Sequence, residues 1–240
     1  MKNKVRPIGL NVISNGIRIV EIAPVDIMGM KWLCVGFEEE NINRQDNVHL
    51  AFVLINKNLV LPDSLFSYLK SVFLKQGPVL VRVHSECLLG DMLSSELCDC
   101  GKQLRWSFRM ISERGLGVLV YLRQEGRGIG MRNKLSCLAL QEGYFKGQKI
   151  ENKFSSDEAN LALNFPIDAR EYDISARILK LLGITSVNLI SGNLHKIDAI
   201  KKSGIEVKKL IDIPRDNPTK REMSEIREKL ARNYIYLNIK

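Results

Sequence analysis

Long apolar runs are absent from this chain. Although 45% of its 240 residues are hydrophobic, they never form the roughly 18-residue stretch that a membrane-spanning helix needs. The basic N-terminal residues 1–7 lead into no continuous apolar region, so we expect no signal peptide. The composition is that of a protein with a hydrophobic core, and we expect a cytoplasmic protein with no membrane partner.

Cysteine is scarce, and its distribution argues against one class of protein. The chain has five cysteines, and three of them fall within residues 87–100. An odd number with this clustering is unlike the disulfide framework of a small secreted protein. It favours a reducing compartment and a metal site built from the three clustered thiols.

Acidic residues are too few to balance the basic ones, and the net charge is +9 at pH 7. Such an excess indicates an anionic partner, either a nucleic acid or a small phosphorylated molecule. Much of the excess lies near the C-terminus, where it is also compatible with a solvated charged face. No nucleic-acid-binding motif with interleaved aromatic residues accompanies it, so we expect no nucleic-acid partner.

The periodicity of the hydrophobic residues predicts a chain that contains both helices and strands. Runs of β-branched and apolar residues predict strands over 17–23, 31–37, 48–55, 79–83, 116–122 and 187–190. Apolar residues at helical spacing predict helices over 64–74, 103–114, 134–141, 173–182, 194–203 and 219–233. Internal repeats and low-complexity segments are absent. We predict an α+β (mixed α/β) fold, with one compact catalytic domain over residues 1–213 and a C-terminal helical tail over 214–240.

The most informative motif follows the predicted strand at 79–83. His84, Ser85 and Glu86 lead into Cys87, and Cys98 and Cys100 follow shortly after. Three sulfur ligands are typical of a zinc site with one coordination position left for a reacting water. By spacing alone, His84 could instead be a fourth ligand, and that arrangement would close the site.

A glycine-rich loop at residues 123–130 is a second candidate site. Its glycines allow tight turns, and the guanidinium groups of Arg123 and Arg127 suit phosphate oxygens. Glu125 could accept hydrogen bonds from the N–H edge of a purine. A surface turn with a solvated pair of arginines explains the spacing equally well.

Two further turns carry polar groups that could face one substrate. Asp168 and Arg170 precede a predicted helix, although a helix cap with a surface ion pair would be favoured if this turn stood alone. Ser191 and Lys196 lie at a strand-to-helix turn. Helix N-termini attract phosphate, and these two side chains would add direct contacts.

Taken together, these blocks resemble the GTP cyclohydrolase II family over about residues 18–207. The segment 145–154 looks like an insertion relative to the family pattern. The matching positions are Arg82 to Cys87, Cys98 to Gly101, Gln103, Arg123 to Arg127, Asn133 with Lys134, Glu158 to Asn160, Asp168 with Arg170, and Ser191 with Lys196.

The resemblance implies a fold, a reaction and a set of roles. Cys87, Cys98 and Cys100 would hold one Zn²⁺, and a zinc-activated water would attack C8 of GTP. Formate and pyrophosphate would leave, giving a diaminopyrimidinone ribosyl phosphate in riboflavin biosynthesis. The family is dimeric, and Mg²⁺ would accompany the substrate phosphates.

Asp168 would be the proton acceptor in this scheme. Arg170 would attack the α-phosphate, or would act as an electrostatic clamp on it, because arginine is a poor nucleophile. In the family pattern His84 belongs to the substrate pocket. The resemblance places these residues around GTP: Arg82, Val83, His84, Ser85, Glu86, Gln103, Glu125, Gly126, Arg127, Ser156, Ser191 and Lys196.

Four positions depart from the family pattern. Leu97 and Ser136 replace arginines, Leu138 replaces a tyrosine near the reacting carbon, and Ser191 replaces a threonine. These changes keep an alternative open, in which the protein stops at a formamidopyrimidine or acts on another nucleotide or pyrimidine in secondary metabolism or base catabolism. A non-catalytic zinc protein that binds nucleic acid is disfavoured, because it gives Asp168 and the other polar site residues no role.

The family pattern is not recognisable after residue 213. The predicted last helix could cover a dimer edge or a neighbouring active site.

Overall fold

The computed structural model describes residues 13–14, 16–40, 48–55, 65–75, 77–215 and 218–232. The strands are β1 Ile13–Ser14, β2 Ile17–Ile27, β3 Met30–Glu39, β4 His49–Leu54, β5 Val79–Ser85, β6 Gly117–Leu122, β7 Tyr144–Phe145, β8 Gln148–Lys149, β9 Ser186–Ile190 and β10 Glu206–Ile211. The α-helices are α1 Leu65–Leu74, α2 Leu88–Asp91, α3 Cys100–Arg114, α4 Gly130–Gln141, α5 Ser156–Ala162, α6 Asp173–Leu181, α7 Leu194–Lys202 and α8 Lys220–Arg232.

Eight of the strands form one sheet in the order β1-β2-β3-β4-β6-β5-β9-β10. The half from β1 to β6 is antiparallel, and β6, β5, β9 and β10 run parallel. The carboxyl ends of β5, β6 and β9 therefore lie at one edge of the sheet. In sheets of this kind ligands bind at that edge, and the cysteine motif, the glycine-rich loop and the Ser191 turn all begin there.

Strand β5 is buried along its whole length, as expected for a strand covered on both faces. Its side chains alternate between two hydrophobic clusters. Val81 and Val83 pack into the larger cluster, with helices α1, α6 and α7. Leu80 packs into the smaller cluster with Ile111 of α3. Because side chains two residues apart share a face, Arg82 and His84 lie on the same face as Leu80.

Most predicted elements are present, with shifted ends. The helix predicted from residue 103 begins at Cys100, since the cysteine-bearing turn runs directly into it. The strand predicted over 17–23 continues to Ile27 and pairs with β3 as far as Met30. The sequence patterns do not predict β1, α2, α5, β10 or the β7–β8 hairpin, which are short or rich in polar residues. Residues 64 and 233 at the ends of predicted helices lie outside the described residues.

The predicted last helix is present as α8 and packs against the rest of the chain. Ile226 on its inner face is 1% exposed. Ion pairs join Glu222 to Lys102 and Arg221 to Glu142. Among the described helices, none combines the length and the hydropathy that crossing a bilayer requires.

Candidate active site

A cavity of about 340 Å³ lies at the carboxyl edge of β5, β6 and β9. All of the site residues predicted from the sequence, except Val83, Arg123 and Asp168, line it. Arg123 pairs with Glu86 at 2.8 Å and does not reach the cavity. Val83 contributes its backbone carbonyl, which accepts a hydrogen bond from Lys196 Nζ at 2.8 Å. Asp168 lies behind Arg170, to which it is paired. The four sequence blocks therefore meet around one space.

The three clustered cysteines come together on one wall of this cavity. One sulfur from each of Cys87, Cys98 and Cys100 lies within 4.8 Å of the others, and the sulfurs of Cys87 and Cys98 are 3.6 Å apart. Two glycines permit this approach. A Cβ on Gly90 would lie 2.9 Å from the Cys98 sulfur, and a Cβ on Gly101 would lie 2.0 Å from the carbonyl oxygen of Gly90.

This thiol cluster fits a tetrahedral metal ion. Zinc–sulfur bonds of about 2.3 Å place the sulfurs of a tetrahedral site roughly 3.8 Å apart, close to the separation of Cys87 and Cys98. Hydrogen bonds from Cys100 and Cys98, together with the charge of Lys134, hold the pKa of Cys87 well below its usual value. Lys134 Nζ lies 3.3 Å from that sulfur. A pocket that favours a thiolate without metal is suited to bind a thiophilic cation.

His84 lies beside the thiol cluster but is not part of it. Its Nε2 is 3.0 Å from Asp91 Oδ1, and Asp91 also accepts hydrogen bonds from the Cys87 backbone N–H and the Tyr121 hydroxyl. Burial lowers the pKa of His84 despite the nearby carboxylate. A neutral His84 therefore donates its Nε2 proton to Asp91, and Asp91 fixes the turn on which Cys87 lies.

The glycine-rich loop forms a tight 3₁₀ turn at Glu125–Gly128. Gly126 and Arg127 have φ values of 61° and 58°, and a Cβ on Gly128 would lie 2.8 Å from the Ala169 backbone. The turn thus packs directly against the segment that carries Arg170. Glu125 accepts hydrogen bonds from Lys134 Nζ at 2.7 Å and the Leu88 backbone N–H at 2.6 Å. Its role as a purine acceptor stays a prediction.

Four of the basic side chains that line the cavity were predicted as site residues, namely Arg82, Arg127, Arg170 and Lys196, and most are held by neighbouring groups. Arg82 donates to the Ile190 carbonyl at 3.0 Å and to Gln103 Oε1 at 2.7 Å. Arg127 pairs with Asp157 at 2.7 Å. Burial, followed by the charges of Arg82 and Arg170, lowers the pKa of Lys196 well below its usual value. The site is therefore built to receive negative charge.

The two candidate catalytic residues, Asp168 and Arg170, form an ion pair with each other. Arg170 Nε donates to Asp168 Oδ1 at 2.8 Å, and its terminal nitrogen donates to Oδ2 at 2.5 Å. Burial acts to raise the pKa of Asp168, but the hydrogen bonds and charge of Arg170 outweigh it and lower the pKa below the usual value. Their predicted roles as proton acceptor and phosphate-directed group stay predictions.

Several residues of the site were not predicted as site residues. Asp91 and Lys134 lie within or beside the motifs identified in the sequence. Their charged side chains next to those motifs could have marked them as site residues. Asp99 lies between two of the clustered cysteines, and its Oδ2 accepts a hydrogen bond from Gln103 at 2.6 Å. Side chains of α8 also line the cavity. No motif marks them, because they lie over 110 residues from the cysteines in sequence.

The positions that depart from the family pattern divide into two groups. Leu97 and Leu138 line the cavity, so they alter its surface directly. Ser136 is exposed on α4 and does not line it. Ser191 lines the cavity and is 6% exposed. Three of the four departures, at Leu97, Leu138 and Ser191, therefore change the surface of the cavity.

A family model described as GTP cyclohydrolase II matches residues 23–212. This chain belongs to the GTP cyclohydrolase II family. The matched region contains the thiol cluster, the glycine-rich loop, Arg170 and Lys196, and it ends before α8. Membership accounts for four separated sequence blocks meeting in one cavity.

Two curated relatives show how far the family likeness extends. The chain is 47% identical over 165 residues to the riboflavin biosynthesis protein RibBA of Chlamydia muridarum (strain MoPn / Nigg). The aligned region covers 68% of this chain and 37% of the relative. It is 50% identical over 131 residues to the GTP cyclohydrolase-2 of Acinetobacter baumannii (strain AYE). That aligned region covers 55% of this chain and 61% of the relative. The chain thus spans less than two thirds of these relatives.

A comparison with solved structures gives a weak likeness. The crystal structure of RibBX, a two domain 3,4-dihydroxy-2-butanone 4-phosphate synthase from A. baumannii, aligns with 85% of this chain and 41% of its own. The sequence identity is 17% and the TM-score is 0.38.

Proposed function

We propose that this chain is a zinc-dependent hydrolase that opens the imidazole ring of GTP at C8 and releases formate and pyrophosphate. The product is a diaminopyrimidinone ribosyl phosphate, the intermediate that the family supplies to riboflavin biosynthesis. The observation that carries the proposal is the meeting, in one cavity, of a three-thiol cluster with the basic groups of Arg82, Arg127, Arg170 and Lys196.

The metal end of the cavity is assigned to Cys87, Cys98 and Cys100. These three thiolates would hold a zinc ion, which would lower the pKa of a bound water to about 7 and so supply a nucleophile. Asp91 holds the Cys87 turn through the backbone N–H at 3.0 Å. Lys134 balances the negative charge of the thiolates. These groups keep the thiol cluster rigid while the ring is attacked.

The basic end of the cavity is assigned to the triphosphate, with Mg²⁺ accompanying it. Lys196 gains most from the substrate, because burial has already cost its ammonium group its hydration and a phosphate oxygen would restore a strong partner. Arg170 is released from Asp168 when phosphate competes for its guanidinium group. Asp168 then becomes available to accept a proton.

The decisive experiment is product analysis by mass spectrometry after the zinc-loaded protein is mixed with GTP and Mg²⁺. We expect formate and pyrophosphate to form in step with GTP loss. A Cys98→Ser variant, which removes one of the three thiols, should leave GTP unchanged. Unchanged GTP with the unmodified, zinc-loaded protein would contradict the proposal.

A second candidate reaction rests on Leu138, which lines the cavity where the family carries a tyrosine. Without the phenol the second hydrolytic step loses a hydrogen-bonding group, and the reaction would stop at a formamidopyrimidine. Leu138→Tyr should then release formate where the unmodified protein does not. Equal formate release by both proteins would exclude this arrest. Leu97 also lines the cavity, and a different nucleotide or pyrimidine substrate is the remaining form of this candidate.

A homodimer in the cytoplasm is part of the proposal. It is supported by the family resemblance, and the clustered, odd-numbered cysteines favour a reducing compartment. Light scattering behind a size-exclusion column tests the dimer directly. A molar mass near the 27.3 kDa of one chain would contradict it.

A further inference from the structure

Helix α8 forms one wall of the active-site cavity, although it lies beyond the region that the family model matches. The side chains that reach the cavity are Arg221, Ser224, Glu225, Glu228, Lys229 and Arg232. The helix has a well-defined start. Thr219 Oγ1 accepts a hydrogen bond from the Glu222 N–H at 3.1 Å, and the Glu222 carboxylate accepts one from the Thr219 N–H at 2.8 Å. This capping box fixes where the helix begins.

The first contact of α8 with the site is made at Asp99, next to the thiol cluster. Lys229 Nζ lies 3.2 Å from Asp99 Oδ1, and Asp99 lies between Cys98 and Cys100 in the chain. The other oxygen of Asp99 accepts from Gln103 Nε2 at 2.6 Å. Asp99 is 5% exposed, so its charge depends on protein partners. Lys229 therefore stabilises the carboxylate that holds the cysteine turn to α3.

Negative charge around the thiol cluster gives a physical reason for the position of Lys229 beside Asp99. Three thiolates around a dication carry one net negative charge, and Asp99 adds another in a buried region. Glu225, on the same face of α8, lies 3.1 Å from Lys229. Buried charge of one sign is costly unless it is paired. Lys134 lies beside the Cys87 sulfur, and Lys229 pairs with Asp99, the residue between Cys98 and Cys100.

The second contact of α8 is made at the basic end of the cavity. Arg232 lies 2.9 Å from Asp157 Oδ1, and the same oxygen lies 2.7 Å from Arg127. Asp157 thus joins an arginine of α8 to the arginine of the glycine-rich loop. Because the two arginines share one carboxylate, Arg232 governs how strongly Asp157 holds Arg127.

We propose that Lys229 and Arg232 of α8 are positioning residues for the two ends of the active site. Lys229 acts through Asp99 on the cysteine turn and Gln103. Arg232 acts through Asp157 on Arg127. The inference rests on the proposed function for the metal and the nucleotide, and it assigns to α8 a part in each of their sites.

The test compares Lys229→Met and Arg232→Met in the 240-residue chain, with Arg227→Met as the control. Arg227 is an exposed arginine of the same helix that does not line the cavity. Metal affinity is measured by titrating metal-free protein with Co²⁺ and following the thiolate-to-cobalt absorption band. Nucleotide affinity is measured as the KM for GTP of the zinc-loaded protein.

The two variants should fail in different ways. Lys229→Met should weaken Co²⁺ binding roughly 10- to 100-fold, as the loss of groups that support metal ligands commonly does, and Lys229→Arg should restore most of it. Arg232→Met should leave Co²⁺ binding unchanged and raise the KM for GTP roughly 10-fold, because Asp157 then holds Arg127 away from the phosphates. Arg227→Met should change neither quantity.

Other outcomes contradict the inference in distinct ways. If Lys229→Met binds Co²⁺ as tightly as the unmodified protein, Lys229 has no positioning role at the thiols. If both variants change the Co²⁺ affinity and the KM for GTP equally, the substitutions have only weakened the packing of α8 over the cavity, and neither residue has its own positioning role. Failure of the unmodified protein to bind Co²⁺ at all would instead overturn the proposed metal site, which separates that failure from this one.

Discussion

Cys87, Cys98 and Cys100 lie close together because the residues packed behind them have no side chains. Gly90 faces two of the sulfurs directly, and Gly101 packs against the Gly90 carbonyl. The close approach of the three sulfurs therefore depends on the two glycines as well as on the cysteines. The same is true of the glycine-rich loop, where Gly128 lets the backbone pass beside Ala169.

Gly90→Ala should therefore abolish tight metal binding while leaving the fold in place. The new Cβ would lie 2.9 Å from the Cys98 sulfur and 3.2 Å from the Cys87 sulfur, so the sulfurs must separate. Metal content after purification, measured by atomic emission, should fall well below one zinc per chain. Gly77→Ala is the matched control, because a Cβ there meets nothing within 4 Å. Full zinc content in Gly90→Ala would refute this account.

Lys196→Met should make the protein more stable and remove its nucleotide binding. Burial, with the charges of Arg82 and Arg170, lowers the pKa of Lys196 in the folded state, so the unfolded chain binds the proton more tightly. Lys196 therefore destabilises the fold below its folded pKa, and the effect fades as the pH rises toward the unfolded value of about 10.4. The expected gain at pH 7 is ~1–2 kcal/mol in the free energy of unfolding.

Urea unfolding at pH 7 and at pH 10.5 tests this sign. The gain should be present at pH 7 and much smaller at pH 10.5. The exposed Lys201 of the same helix gives the control, and Lys201→Met should change stability by less than about 0.5 kcal/mol. A Lys196→Met protein that is less stable than the unmodified one at pH 7 would show that the ammonium group is fully compensated.

At the scale of elements, β5 decides which side chains reach the cavity. Its alternation sends Val81 and Val83 into the larger hydrophobic cluster and leaves Arg82 and His84 on the face of α3. Helix α8 is the second deciding element. It begins at a capping box and ends with Lys229 and Arg232 at the two ends of the cavity.

Thr219→Ala should loosen α8 selectively. Loss of the capping hydroxyl costs about 1 kcal/mol at a helix N-terminus, and it weakens the contact that holds the Glu222 backbone N–H at 3.1 Å. Hydrogen exchange followed by mass spectrometry should show faster exchange across Lys220–Arg232 and unchanged exchange in β5. Thr219→Ser keeps the hydroxyl and should behave like the unmodified protein. Uniform acceleration across the whole chain would contradict the selective effect.

At the scale of the whole molecule, the cavity joins segments that are distant in sequence. The thiols come from the start of α3 and the end of β5, and the basic groups come from the loops after β6 and β9. The metal ion proposed for this junction would bind the folded protein in preference to the unfolded chain and would stabilise the fold by mass action.

Removing the metal should therefore lower the melting temperature. At a free zinc concentration of about 100 times Kd the stabilisation is about 2.7 kcal/mol, which corresponds to roughly 5–10 °C for a chain of this size. Scanning calorimetry with and without a chelator measures the difference. Cys98→Ser should lose most of it, and Cys34→Ser should keep it, because Cys34 lies outside the thiol cluster. An equal shift in both variants would place the metal elsewhere.

Sequence patterns predicted most strands and helices because these elements depend mainly on residues that are close together in the chain. Alternation and helical spacing predicted most strands and helices, and the cysteine spacing predicted a three-thiol group that the fold brings within 4.8 Å. The patterns did not predict β10, whose exposed glutamate and lysines hide its position at the edge of the sheet. They also did not predict α2, since four residues are too few for a periodic signal.

The sequence by itself determined the chemistry available to this protein: three clustered thiols, a glycine-rich loop, several basic side chains and the family to which they belong. The tertiary structure alone decided where α8 lies. Its contacts join Lys229 to Asp99 and Arg232 to Asp157 across 130 and 75 residues of chain. Contacts of that range depend on the packing of the whole sheet and its helices, and no local pattern in the chain encodes them.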